Sequence, residues 1–131
     1  MFALDTNTLI YFFKRQGNVA ARLLSHAPVD VVVPCIVVYE LEVGLAKSAQ
    51  PALRRAQLDT FLRHTRILPL TRFEATHAAR IRASLEAGGK PIGPLDTLIA
   101  GIALAHGATL VTRNADEFSR VPGLAVDNWY G

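Results

Sequence analysis

One cysteine, Cys35, stands in 131 residues. An internal disulfide is therefore excluded, and so is a zinc site built on paired cysteines. The four histidines, at 26, 64, 77 and 106, show none of the close spacings that bring imidazoles to one metal. No apolar run approaches the roughly 20 residues that a membrane-crossing helix needs. The N-terminus also lacks the basic, apolar, small-residue succession of a secretory leader, so the chain is expected to act in the cytoplasm, away from membranes. Low-complexity tracts and repeats of useful length are absent; the triplet Leu-Asp-Thr recurs at 4–6, 58–60 and 95–97 but is too short to count. The expected organisation is a single domain, residues 1–131, large enough for a real core.

What is present is the composition of a compact globule: half the residues are apolar and 19% are charged, unlike a disordered chain. The net charge of +3 is unevenly placed. Residues 47–90 carry nine basic and three acidic side chains, a net of +6, whereas the remainder carries five basic and eight acidic, a net of −3. A basic middle suits a polyanion and an acidic remainder suits a cation. On charge alone, arginines that merely solvate helix faces account for the basic middle equally well.

Hydrophobic runs and turn residues predict alternating strands and helices. "MFALD" reads as a short buried strand, followed by a helix over 7–14 and a second one ending near His26. "DVVVP", 30–34, is a β-branched strand, and the segment from Cys35 to about Ser48 reads as a helix despite its valines. Pro51 opens a helix to about Arg66. "RILPL" is the third strand, residues 72–87 a helix stopped by Gly88-Gly89, and residues 95–106 a helix announced by Gly93-Pro94. "ATLVT", 108–112, and "LAVDN", 124–128, complete a set of five strands. This alternation predicts an α/β fold, a doubly wound and mostly parallel sheet with helices on both faces, in which ligands bind at the carboxyl ends of the strands.

Acids fall at that edge. Asp5 ends the first strand, Glu40 lies early in the helix after the second, Asp96 is in the first turn of the helix over 95–106, and Asp116 and Glu117 follow the fourth strand. Each has an ordinary reading as a cap or first-turn residue, worth roughly 0.3–1 kcal/mol, or as part of a polar loop. Glu42 reads as an exposed helix residue, and Asp59, mid-helix beside Gln57 and Arg63, as a solvated one. Apolar segments that repeatedly end in carboxylates at one sheet edge are costly without a cation, because three or four carboxylates within a few ångströms repel one another. Mg²⁺ takes oxygen ligands, commonly one or two carboxylates plus water and substrate phosphate, and Mn²⁺ would also fit. Such an ion supports in-line displacement at phosphorus, and with a basic surface nearby the combination describes a metal-dependent nuclease.

Over essentially its whole length the sequence resembles PIN-domain ribonucleases, and among them the VapC toxins of bacterial toxin–antitoxin pairs. The resemblance rests on "LDTNTLI" at 4–10, "VVVPCIVVYELEVGL" at 31–45, "GKPIGPLDTLIAGIALAHGATLVTRNADEFSRVPGL" at 89–124 and "VDNW" at 126–129. It implies that Asp5 and Asp96 bind the metal, that Glu40 joins them, and that Glu117, directly before the phenylalanine, is the last acid, with Asp116 a loop or helper residue. It also implies that Thr112 and Asn114 line the site; Asn7 is read as an orienter of Asp5 and Arg113 as an RNA-binding arginine close to the chemistry. The implied protein is a cytoplasmic, homodimeric endoribonuclease that cuts tRNA, initiator tRNA the favoured substrate. Its cognate antitoxin is expected to cover the groove and present an arginine or lysine to the acids.

Other phosphate-handling folds match less well. "LDTNT" echoes the Asp-x-Asp-x-Thr opening of haloacid-dehalogenase-like phosphohydrolases, but Asn7 stands where that chemistry needs a second proton-transferring aspartate. A response-regulator receiver needs an acid directly after the third strand, where this chain has Thr71-Arg72. "AGGKPIG" lacks the spacing of a P-loop. A PIN-like protein that binds without turnover is the non-enzymatic alternative.

Overall fold

A computed structural model describes all of residues 1–131. Phe2–Leu4 forms β1, whose Ala3 and Leu4 are fully buried. A strand this apolar belongs in mid-sheet, and β1 pairs on one side with β2 (Val31–Pro34) and on the other with β4 (Thr109–Val111). β3 (Arg66–Leu68) extends the sheet beyond β2, and β5 (Val126–Asp127) extends it beyond β4. The order is β3-β2-β1-β4-β5 and every pair is parallel. All four residues of β2 are buried, as expected of a strand covered on both faces. Winding outward from β1 in both directions places the topological switch between β1 and β4, where open α/β sheets form their binding crevice.

Seven helices connect the strands: α1 (Thr6–Phe13), α2 (Val19–Leu24), α3 (Cys35–Ala46), α4 (Pro51–Arg63), α5 (Arg72–Ala87), α6 (Pro94–Ala105) and α7 (Ala115–Phe118). Pro51 and Pro94 occupy first-turn positions, where the missing N–H costs nothing. Glu74 folds back to accept from the Thr71 N–H at 2.8 Å and from the Thr71 hydroxyl, capping α5. Its other oxygen meets His106 Nε2 at 2.7 Å, so this buried carboxylate ties the start of α5 to the end of α6. Midway along the two helices, Gly101 lies so close to Ala78 that a Cβ on it would stand 2.5 Å from the Ala78 Cβ.

The differences from the sequence reading are at element ends. The fourth helix stops at Arg63 rather than Arg66, because Arg66 is drawn into β3 opposite Val32. Asp30 belongs to a short 3₁₀ turn over Pro28–Asp30, not to the strand. α7 is a single turn inside a segment that reads as a loop, and β5 begins at Val126. Trp129, following β5, is buried and stacks on His26 with centroids 5.0 Å apart.

Candidate active site

Asp5 follows β1 and is the N-cap of α1: its Oδ1 accepts from the Thr8 N–H at 2.8 Å. The capping geometry turns the carboxylate inward over the end of β1, and the residue is 7% exposed. Burial is the main influence on its protonation and raises its pKa above the ordinary 3.8, against the lowering effect of hydrogen bonds from Thr112 and Thr8. The Glu40 charge pushes in the same direction as burial. Thr112, directly after β4, is fully buried, and its hydroxyl oxygen also accepts from the Asn114 N–H at 3.0 Å. Both strands at the switch point therefore deliver a side chain to the same spot.

The other acids arrive from separate elements. Glu40 comes from the middle of α3 and accepts from the Thr6 hydroxyl at 2.7 Å. Glu117, in α7, accepts from the Asn114 side-chain amide. Asp96, in the first turn of α6, receives no hydrogen bond; its pKa is pushed up to about 6, first by burial and then by the charges of Glu117, Glu40 and Asp5. Acids from three other segments thus act on Asp96, and Glu40 also acts on Asp5. Asp116 is exposed and is not among the groups acting on Asp96. Asp59 is 54% exposed and lies 3.4 Å from Arg55 on the face of α4, away from this group.

Two expectations need correction. The carboxylates are not gathered into a ready-made cage: no three His, Cys, Asp or Glu side chains are close enough together to hold an ion. Asp5, Glu40 and Glu117 are each held by a donor of their own: the Thr8 N–H, the Thr6 hydroxyl and the Asn114 amide. Asn7 does not orient Asp5 either; its side chain is exposed and unbonded, and Thr8 and Thr112 do that work. The remaining donor set still fits a hard divalent ion. It is all oxygen, and Asp96 is a half-buried carboxylate with three acids around it and no protein donor. Asp5 and Asp96 are the two that would hold such an ion, with water and phosphate completing its shell.

Beside Glu40, a groove of about 300 Å³ runs between α1, α3 and α4, with Ile10, Phe13, Leu41 and Leu58 among its walls and Lys14 and Arg54 alongside. On the other side of the site, the Arg113 guanidinium lies over the Tyr130 ring at 3.6 Å.

The family model described as the PIN domain matches residues 2–124. This chain belongs to the PIN domain family. Within that family it is 34% identical over 128 residues to the tRNA(fMet)-specific endonuclease VapC of Salmonella typhimurium, covering 98% of this chain and 97% of that one. It is 33% identical over 131 residues to the ribonuclease VapC2 of Rickettsia felis, covering 98% of both. The crystal structure of VapBC2 from Rickettsia felis bound to a promoter DNA fragment matches it with a TM-score of 0.87 at 34% identity, over 98% of each chain. The chain is a PIN domain of the VapC ribonuclease group.

The acids of this PIN domain are legible in its sequence, and Thr112 is legible through the resemblance, but Thr6 and Thr8 are not. Thr6 and Thr8 follow the capping Asp5 at the first and third helical positions, and a threonine at the third is not the Glu or Gln of a capping box. Nothing in the sequence pairs Thr6 with Glu40, 34 residues away.

Proposed function

We propose that this PIN domain is the toxin of a toxin–antitoxin pair, a metal-dependent endoribonuclease that hydrolyses phosphodiester bonds of tRNA in the cytoplasm, with initiator tRNA the favoured substrate. The observation that carries the reading is Asp96: a carboxylate raised to about 6 by burial and by three other acids, without a hydrogen-bond donor. A cation is the natural counterpart of such a group. Asp5 and Asp96 would hold Mg²⁺ or Mn²⁺; Glu40 is kept in place by Thr6 and Glu117 by Asn114, so that a carboxylate stands ready to align a water on the phosphate and accept its proton. When bound, the ion offsets charge developing on the phosphate and favours ionisation of the attacking water. The tRNA substrate follows the name of the Salmonella relative, and RNA shape recognition leaves little mark in a single sequence.

The partner follows from the groove. A peptide segment with apolar side chains would fill the space walled by Phe13, Leu41 and Leu58, and a lysine or arginine on it would reach the carboxylates. This is what an inhibitory antitoxin requires, and the VapBC2 complex shows that a relative assembles in such a pair. Tyr39 and Val43, one turn apart on α3 and exposed, are side chains a second copy would cover in a homodimer.

The test is incubation of antitoxin-free protein with bulk bacterial tRNA in Mg²⁺ or Mn²⁺, in EDTA, and with Asp96→Asn protein. Discrete fragments that disappear in both controls are expected. Intact tRNA throughout, with metal binding demonstrated, would replace the nuclease with a binding protein or a narrower RNA target.

A further inference from the structure

Four carboxylates at one cleft repel the backbone of the RNA they are to cut, so a cation fixed beside them is needed to bring the backbone in. Arg22, Arg55 and Arg82 are each paired with a carboxylate. Arg113 is not. It is exposed, between Thr112, which hydrogen-bonds Asp5, and Asn114, which hydrogen-bonds Glu117.

Its guanidinium carbon lies 3.6 Å from the centre of the Tyr130 ring and 5.6 Å from that of Tyr11, and the two rings meet edge to face at 4.8 Å. The Tyr130 platform is itself fixed. Its carbonyl accepts from the Asn18 N–H at 2.9 Å, its N–H donates to Asn128 Oδ1 at 2.9 Å, and the preceding Trp129 is buried. Gly17 packs beneath it so tightly that a Cβ there would stand 2.7 Å from the Tyr130 carbonyl oxygen. Tyr11 lies four residues after Asn7 on α1, on the same helix face and about 6 Å further along. Arg113 is thus held beside the acidic cleft, between two residues that hydrogen-bond its acids. The Tyr11 side chain hydrogen-bonds this guanidinium as well; with five N–H donors, an exposed arginine held in this way still has N–H groups to offer an oxyanion, and its immobility removes much of the ordering cost of binding.

We propose that Arg113 is a phosphate clamp for RNA, taking a backbone phosphate beside the one being hydrolysed, and that Tyr130 is its positioning residue. The proposal rests on the ribonuclease reading for its substrate, but it is tested apart from turnover.

Binding of bulk tRNA is measured by salt titration in the Asp96→Asn background, where cleavage is removed. Arg113→Gln is expected to weaken binding roughly ten-fold and to make the log K against log[salt] slope shallower by about one. Tyr130→Ala shifts both in the same direction, Tyr130→Phe restores most of the affinity, and Arg113→Lys recovers only part of it, because an ammonium does not lie flat on the ring. In protein with Asp96 intact, Arg113→Gln and Tyr130→Ala raise KM while kcat stays within about two-fold, the mark of uniform binding lost. Thermal melts of each variant separate this from a structural role, which would lower Tm and leave the salt slope alone. Wild-type affinity and slope in Arg113→Gln, or in folded Tyr130→Ala, overturn the clamp. If the wild-type protein cuts no RNA yet Arg113→Gln still flattens the slope, the clamp stands and the nuclease reading falls.

Discussion

Thr6 and Glu40 meet across the sheet edge: the Thr6 hydroxyl donates to Glu40 Oε1 at 2.7 Å. Thr6 is the first residue of α1, directly after Asp5, and Glu40 lies in the middle of α3. One hydrogen bond therefore fixes the position of Glu40 relative to Asp5. Thr6→Val keeps the side-chain shape and removes the donor. The expected loss of stability is about 1 kcal/mol. The expected loss of cleavage rate is larger in proportion, on the order of ten-fold, because a small misplacement of a reacting group is costly. Thermal melts and single-turnover cleavage give the two numbers, and a rate unchanged at reduced stability would show that Glu40 needs no such support.

Asp5 carries two functions that separate by substitution. As N-cap it satisfies the Thr8 N–H, and as a buried carboxylate with raised pKa it costs stability when ionised. Asparagine caps equally well. Asp5→Asn is therefore expected to melt at or above the wild-type temperature while losing metal-dependent cleavage. Asp5→Ala loses the cap as well and should fall about 1 kcal/mol below Asp5→Asn. Retention of wild-type cleavage by folded Asp5→Asn would remove Asp5 from the chemistry.

The sheet and the four acids were legible because both rest on local signals: apolar runs bounded by Gly and Pro, and carboxylates placed just beyond them. Asp59 is separable from Asp5 and Asp96 for the same reason, its triplet lying well inside a helix rather than at a strand end or in a first turn. Side-chain partnerships were not legible. Asn7 looks like the natural neighbour of Asp5, yet the capping geometry of α1 hands that place to Thr8 and leaves Asn7 in solvent. No local signal pairs Tyr130 with Arg113; Gly17 and Asn18, more than a hundred residues away in the chain, hold it there.

Asp96 makes stability depend on pH in a defined direction. Its carboxyl titrates at about 6 in the fold against an ordinary 3.8, so the folded protein holds that proton more tightly than the unfolded chain does. The resulting stabilisation is complete below about 3.8 and is lost as pH rises through about 6. Glu74 acts oppositely: lowered from 4.5 to about 2, chiefly by the Thr71 hydroxyl, it contributes stability that is present above 4.5 and lost as pH falls through about 2. The difference in Tm between wild type and Asp96→Asn isolates the first effect. In metal-free buffer the wild type should lose ground to Asp96→Asn from about pH 4 to pH 7. Mg²⁺ or Mn²⁺ should return that loss at neutral pH and have little effect at about pH 4, where protons compete for the same carboxylate. A flat difference across this range would mean that Asp96 is not the strained group of the cluster.

Gly101 is required by backbone proximity and not by conformation. A Cβ there would stand 2.5 Å from the Ala78 Cβ, 2.6 Å from its Cα and 2.7 Å from its nitrogen. Gly101→Ala should destabilise the protein by about 1–3 kcal/mol through overpacking. Ala78→Gly should fail to rescue it, since two of the three clashing atoms are backbone. Full rescue, measured by denaturant unfolding, would show that α5 and α6 can shift apart.

Glu117 and Asp116 are adjacent acids that the sequence barely distinguishes, and the structure separates them. Glu117 accepts from the Asn114 amide and is the largest charge effect on Asp96. Asp116 is exposed on the same single-turn helix and acts on none of the cleft groups. Glu117→Gln should therefore lower the Asp96 pKa from about 6, weaken Mn²⁺ binding and reduce cleavage by ten-fold or more, an order-of-magnitude expectation for a cleft carboxylate. Asp116→Asn should leave all three within error. Carboxyl titration followed by NMR on ¹³C-labelled protein reads the Asp96 effect directly, independent of turnover. If Asp116→Asn moved that titration and Glu117→Gln did not, the roles of the two acids would have to be exchanged. If neither moved it, Glu117 would not be acting on Asp96, and the case for a charge cluster at this edge of the sheet would rest on Glu40 and Asp5.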